Sequence, residues 1–220
     1  MAHTPGVRAA RKRQTRQALL DAALRLLEQQ SLSSLGLREV TREAGIAPAA
    51  FYRHFPDVVQ LGVALVHESF GSLHAMISAV RTEAAGSDEV INRTVDVIAA
   101  HVRERRGHFQ FIARERHGGV APVRAAIAEE LDAFTRDLVG DLAPLPELSE
   151  WTDDDLRMLS ELYVNLALLT ASALLDAGPD DAEAERRVTD TARRQLSLIA
   201  AGRRHWPNAT HSARPERETP

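Results

Sequence analysis

Cysteine is absent from the 220 residues. That removes disulfides, thiol nucleophiles and zinc-thiolate sites, and it fits a reducing cytoplasm. Lysine is nearly absent: Lys12 stands alone beside 26 arginines. Aromatic residues amount to only 5%. Strand-like alternation is almost missing, and no uninterrupted apolar run reaches the roughly 18 residues of a membrane span. The N-terminus MAHTPGVRAARKRQ is basic but has no apolar stretch behind it, so it does not read as a signal peptide. Catalytic signatures are missing as well. There is no Gly-x-Ser-x-Gly elbow, phosphate-binding Gly loop, His-Glu-x-x-His or dinucleotide fingerprint. The expectation is a cytoplasmic protein that is not an enzyme, with no membrane partner, metal or cofactor.

What is present is helical. Apolar residues make up 44% of the chain, enough for a real core at this length. Residues 14–29 carry Ala18, Leu19, Ala22, Ala23, Leu26 and Leu27 on one stripe, the spacing of an amphipathic helix. A short helix follows over 37–44, then Gly45, then a third helix over 48–54 with Pro48 in its first turn. Asp57 stands at an N-cap position for a long helix to about residue 85. Ser87, with acids behind it, is the expected cap of the next. Helices are expected over 108–116 and 122–142, then a proline loop over 143–149. Thr152, before three aspartates, opens a long apolar helix to about 177. A last helix covers 181–204. The fold class is therefore all-α with nine helices. The expected organisation is a DNA-binding domain over 1–56, a regulatory domain over 57–205 and a disordered tail over 206–220.

Charge is unevenly spread. Residues 1–56 hold nine basic and four acidic side chains, a net of +5, and the remainder holds 18 basic and 27 acidic, a net of −9. A basic end on an acidic body suits a protein that meets a polyanion with one end only. A basic tail without a partner fits the same numbers.

Residues 35–55, LGLREVTREAGIAPAAFYRHF, carry the function. A short helix, a turn bearing glycine and a second short helix make a helix-turn-helix, whose second helix enters the major groove. Leu37, Val40 and Ala44 form the inner face, Gly45 permits the turn and Ile46 plugs the core beneath it. Ala47, Ala49 and Ala50 are small enough to let the backbone approach base edges. Tyr52, Arg53 and His54 bring donors to phosphates, and Arg8, Lys12, Arg16 and Arg38 complete the expected DNA-facing set. Phe55 anchors the helix to the core.

These residues resemble the TetR family of one-component repressors over roughly 14–61. The resemblance implies a nine-helix subunit that dimerises through its last two helices, binds double-stranded operator DNA and holds a small effector in its C-terminal body. Most members carry a lysine just after the recognition helix, where this chain has Val58. That departure, with FYRHFPDVVQLG (51–62), GVRAARKRQTRQALLDAA (6–23) and FQFIARERHGGVAPVRAAIAEEL (109–131), resembles the FabR and DesT repressors of unsaturated fatty-acid synthesis. The resemblance implies a long-chain acyl thioester, such as acyl-CoA, as effector, with either sign of effect on DNA binding.

On that reading Arg114 and Arg116 receive phosphate, because guanidinium forks match its geometry. The alternative is surface arginines paired with Glu104 and Glu115. Phe109, Phe111, Ile112, Phe134, Leu138, Tyr163 and Leu166 are the expected apolar lining, although the same spacing also makes plain core. His67 and His74 share a helix face but lack the closer spacing of metal ligands. Two further functions fit the sequence: a repressor of an efflux pump sensing a drug-like ligand, and a helical adaptor that does not bind DNA.

Overall fold

The computed structural model describes residues 5–83 and 86–206. Among the described residues there are nine α-helices and no strand. They are α1 (Pro5–Leu27), α2 (Leu37–Glu43), α3 (Pro48–Phe51), α4 (Val58–Glu83), α5 (Ser87–Glu104), α6 (Arg106–Glu115), α7 (Ala121–Leu142), α8 (Asp153–Ala177) and α9 (Ala182–Gly202). Short 3-10 turns occupy Leu32–Ser34, Pro146–Leu148 and Arg203–His205.

The chain divides into two compact units: residues 1–72 with 104–130, and residues 73–103 with 131–220. The functional border drawn from the sequence at 56/57 lies inside the first unit. In that unit α1 buries Leu19, Ala22, Ala23 and Leu27, the stripe its periodicity announces. The same unit buries Val40, Phe51, Phe55, Leu61, Leu65, Phe111, Val123 and Ile127. Gly62 on α4 is there for space: a Cβ would stand 2.5 Å from Leu32 Cδ2 and 3.1 Å from Val123 Cγ2.

The second unit packs Leu142, Leu148, Leu156 and Leu159 together, with Leu138, Trp151, Tyr163 and Ile199 around them. Two of its helices are capped as their sequences ask. Thr152 Oγ1 accepts from the Asp155 N–H at 3.1 Å, and Asp181 Oδ1 accepts from the Ala184 N–H at 2.8 Å. Arg203 is buried, donating to Glu147 Oε1 at 2.9 Å and Ser87 Oγ at 3.2 Å, which pins the end of α9.

Several expectations need correction. The basic segment 8–13 continues α1 toward the N-terminus rather than preceding a helix. Arg, Ala, Lys and Gln favour helix strongly enough that an exposed turn needs no apolar stripe, and Pro5 suits its first position. Ser87, expected as the cap, is the first residue of α5, and its hydroxyl accepts from Arg203. Residues 84–85, expected at the end of α4, and 207–220, expected as tail, lie outside the described residues. Trp206, also placed in that tail, donates to Asp155 Oδ1 at 3.0 Å. Two segments, Val58–Arg81 and Asp153–Ala177, are long and apolar enough to cross a membrane by length and composition. The count of uninterrupted runs missed them because each contains a few charges. Helices that bury one face and offer another to a partner protein pass the same test.

The α8 cap supplies a direct check. Thr152→Ala should lower stability by about 1 kcal/mol, read as a shifted urea midpoint at unchanged slope.

A candidate nucleic-acid interface

The reading surface begins with a helix that cannot stand alone. α3 holds four residues, too few to be stable in isolation. Its position is set from both ends. On the entry side α2 closes in a Schellman arrangement: the Ile46 N–H reaches Thr41 O at 2.9 Å and the Gly45 N–H reaches Arg42 O at 3.2 Å. Gly45 has φ +66°, which explains the glycine. At the start of α2 the Gly36 N–H donates to Glu39 Oε2 at 2.9 Å. On the exit side Phe51 and Phe55 are buried, with ring centroids 5.7 Å apart.

The α-helix stops at Phe51, short of the expected 54. The next residues form a tighter turn, with the His54 N–H on Phe51 O at 2.8 Å and the Phe55 N–H on the same oxygen at 3.0 Å. Ala47 and Ala49 are exposed and Ala50 half-buried. Tyr52 is 62% exposed although its ring meets Phe51 edge-on at 5.8 Å between centroids, and Arg53 is exposed beside it.

α1 adds cations to this surface. Arg8, Lys12, Arg16 and Arg38 are all exposed, and among the described residues none forms an ion pair. Arg16 Cζ lies 4.6 Å from the Phe55 ring centroid, so the same phenylalanine anchors the turn and seats a guanidinium. His54 is half-buried, and its Nδ1 is buried without a hydrogen-bond partner. Burial first, then Lys12, Arg16 and Arg53, hold its pKa below the ordinary value. The structure thus gathers Lys12, Arg16, Arg53 and His54 from two elements into one cationic face suited to phosphate.

This is the arrangement of a known regulator family. The model of "Bacterial regulatory proteins, tetR family" matches residues 19–65, and that of "Tetracyclin repressor-like, C-terminal domain" matches residues 87–202. The chain belongs to the TetR family. It is a DNA-binding transcriptional regulator. Solved structures agree on the fold. The fatty acid degradation regulator FadR from Bacillus halodurans is 15% identical, with 92% of this chain and 98% of that one covered and a TM-score of 0.68. FadR from Bacillus subtilis, solved in complex with stearoyl-CoA, is 15% identical over 82% of this chain and 96% of that one, also at 0.68. A putative TetR-family regulator from Syntrophomonas wolfei is 12% identical over 86% and 96%, at 0.72.

The expected effector residues are divided between the two units. Phe111 and Ile112 are buried in the first unit, where Phe109 is half-buried. Phe134, Leu138, Tyr163 and Leu166 belong to the second unit. There Leu138 and Tyr163 pack on the leucine core, and Phe134 lies 4.4 Å from the His74 ring, centroid to centroid. Burial pushes the Tyr163 hydroxyl up in pKa, partly offset by Arg203. Arg114 donates to three main-chain carbonyls at the end of α1, so it is not an open phosphate fork. Arg116 is half-buried and makes no hydrogen bond or ion pair from its side chain among the described residues. A cleft of about 230 Å³ in the second unit is lined by Leu131, Asp132, Thr135, Arg157, Glu161, Val164 and Asn165, none of them expected. Arg157 bonds Asp132 at 2.7 Å and Glu161 at 3.0 Å inside it, a polar wall unsuited to an acyl chain.

Sequence reasoning missed Glu115 altogether, treating it as a surface acid. It is 1% exposed. No pattern around it distinguishes a buried carboxylate from an exposed one.

The depressed His54 pKa makes a pH prediction. The unfolded chain binds this proton more readily, so His54 favours folding above about pH 6.5, and that contribution is lost as pH falls through the lower folded value. His54→Gln should flatten the fall in stability below about pH 6.5, seen by urea unfolding at several pH values.

Proposed function

We propose that this regulator is a cytoplasmic homodimer that binds operator DNA through Tyr52, Arg53 and His54 with the cations of α1, and responds to a long-chain acyl thioester to control fatty-acid genes. The observation that carries the DNA part is the gathering of Lys12, Arg16 and Arg53 around His54, on a face where Tyr52 is exposed. Ala47, Ala49 and Ala50 serve the close approach to bases, and Arg8 and Arg38 add phosphate contacts.

Dimerisation is supported by a stripe on α8. Met158, Leu162 and Leu169 are 44%, 48% and 66% exposed, and spacings of four and seven put them on one helix face. Leu198 on α9 is 73% exposed. From Leu162 to Leu175 α8 carries no charge. Two-fold pairing of these faces would supply two recognition helices, which successive major grooves receive about 34–36 Å apart.

The lipid part is supported by the FadR neighbours, one of them solved with stearoyl-CoA. They speak for fatty-acid regulation and do not separate synthesis genes from degradation genes. Among the arginines first assigned to the effector's phosphate, Arg116 is the one whose donors are open.

Two experiments test the halves separately. Tyr52→Ala with His54→Ala, folded by circular dichroism, should bind operator at least about tenfold more weakly, as the loss of two phosphate bonds implies. Wild-type affinity in that variant means the face is misassigned. For the effector, acyl-CoAs of rising chain length are titrated against the protein–DNA complex. Affinity should climb by about 0.8 kcal/mol, roughly fourfold, per buried methylene until the pocket fills, and Arg116→Ala should weaken every member. A flat response, with release by bulky aromatic cations, turns the reading toward an efflux-pump repressor.

A further inference from the structure

The first half of the chain between α1 and α2, from the end of α1 to Leu32, is held by two adjacent residues of α6. α1 ends at Leu27, and the carbonyls of its last turn have no partner within the helix. Arg114 supplies one from outside. Its Nη1 donates to Leu27 O and, at 2.8 Å, to Gln30 O, while Nη2 reaches Glu28 O at 3.4 Å. A guanidinium at a helix C-terminus also complements the dipole.

Glu115, the next residue, takes the midpoint of the connection. Its Oε1 accepts from the Leu32 N–H at 2.9 Å, the first N–H of the turn Leu32–Ser34, where Ser31 makes no side-chain cap. Its Oε2 is buried without a partner. A buried carboxylate with one neutral donor and one idle oxygen costs more desolvation than it returns, so stability alone does not explain it. What it does accomplish is placement. Leu32 is buried, pressed into the space that Gly62 on α4 leaves and beside Val123 on α7. The joint leading into the helix-turn-helix is thereby fixed in position.

We infer that Arg114 and Glu115 are positioning residues for operator discrimination: by holding the start and the midpoint of the α1–α2 connection they set the angle at which α2 and α3 meet DNA. This rests on the DNA-binding reading of the α3 face. Such a role separates two quantities. Nonspecific affinity comes from exposed cations on α1, which the grip does not touch. Preference for one sequence needs the reading surface held in register with them.

The test uses the full chain, a duplex selected by wild type from a random pool, and a scrambled duplex of equal length. Arg114 is exposed, so Arg114→Ala should fold. Arg114→Ala and Glu115→Ala should keep scrambled-duplex affinity within about twofold and lose on the order of tenfold in preference. Glu115→Gln, which retains an acceptor for Leu32, should recover most of it. Undiminished preference in folded Arg114→Ala, or equal losses on both duplexes, overturns the inference. Should Glu115→Ala not fold, Arg114→Ala decides alone. Failure of the DNA reading looks different: wild type itself would show no preference, and the inference would fall with it.

Discussion

A recognition helix of four residues has to borrow its rigidity, and the rest of the first unit is arranged around that need. Phe51 and Phe55 provide it by burial beneath the reading surface. Two large side chains within five residues fix the rotation of the turn, which decides which side chains face outward. Tyr52 and Arg53 are left exposed because the residues flanking them are committed inward. Small side chains at 47, 49 and 50 carry no packing role that would compete with close approach to DNA. The Schellman closure at Gly45 then fixes the angle between α2 and α3 with main-chain bonds alone.

The electrostatics follow from the same anchor. Phe55 seats the Arg16 guanidinium on its ring, which brings the basic half of α1 to the edge of the turn. Burial first, then the charges of Lys12, Arg16 and Arg53, hold the His54 pKa below its ordinary value. With nine basic and four acidic residues in 1–56, the surplus is modest, so its concentration on one face matters more than its size.

The elements with strong local signals were readable from the sequence. Gly45, Pro48 and Thr152 each act where turn and cap chemistry place them. The α1 stripe and the buried Phe55 follow from periodicity. What escaped depends on partners far along the chain. Arg114 and Glu115 lie 84 and 83 residues from Gln30 and Leu32, and no local pattern reports such a pairing. Side chains called effector lining at helical spacing were partly core, as Leu138 and Tyr163 are, because burial and cavity lining draw on the same residue types. The helical arm was missed for another reason: its helicity comes from propensity, whereas the search was for an apolar stripe.

α6 joins these strands of argument. Phe111 and Ile112 bury one face of it in the first unit, and the following two polar residues take hold of the joint before α2. A packed helix does not deform by degrees; it occupies one arrangement or another. The ten-residue α6 thus has its apolar face buried and its last turn bonded to the main chain of the α1–α2 connection. The cost of a buried carboxylate with an idle oxygen fits this role. Directional bonds from Arg114 and Glu115 hold the geometry of this joint at little net gain in stability.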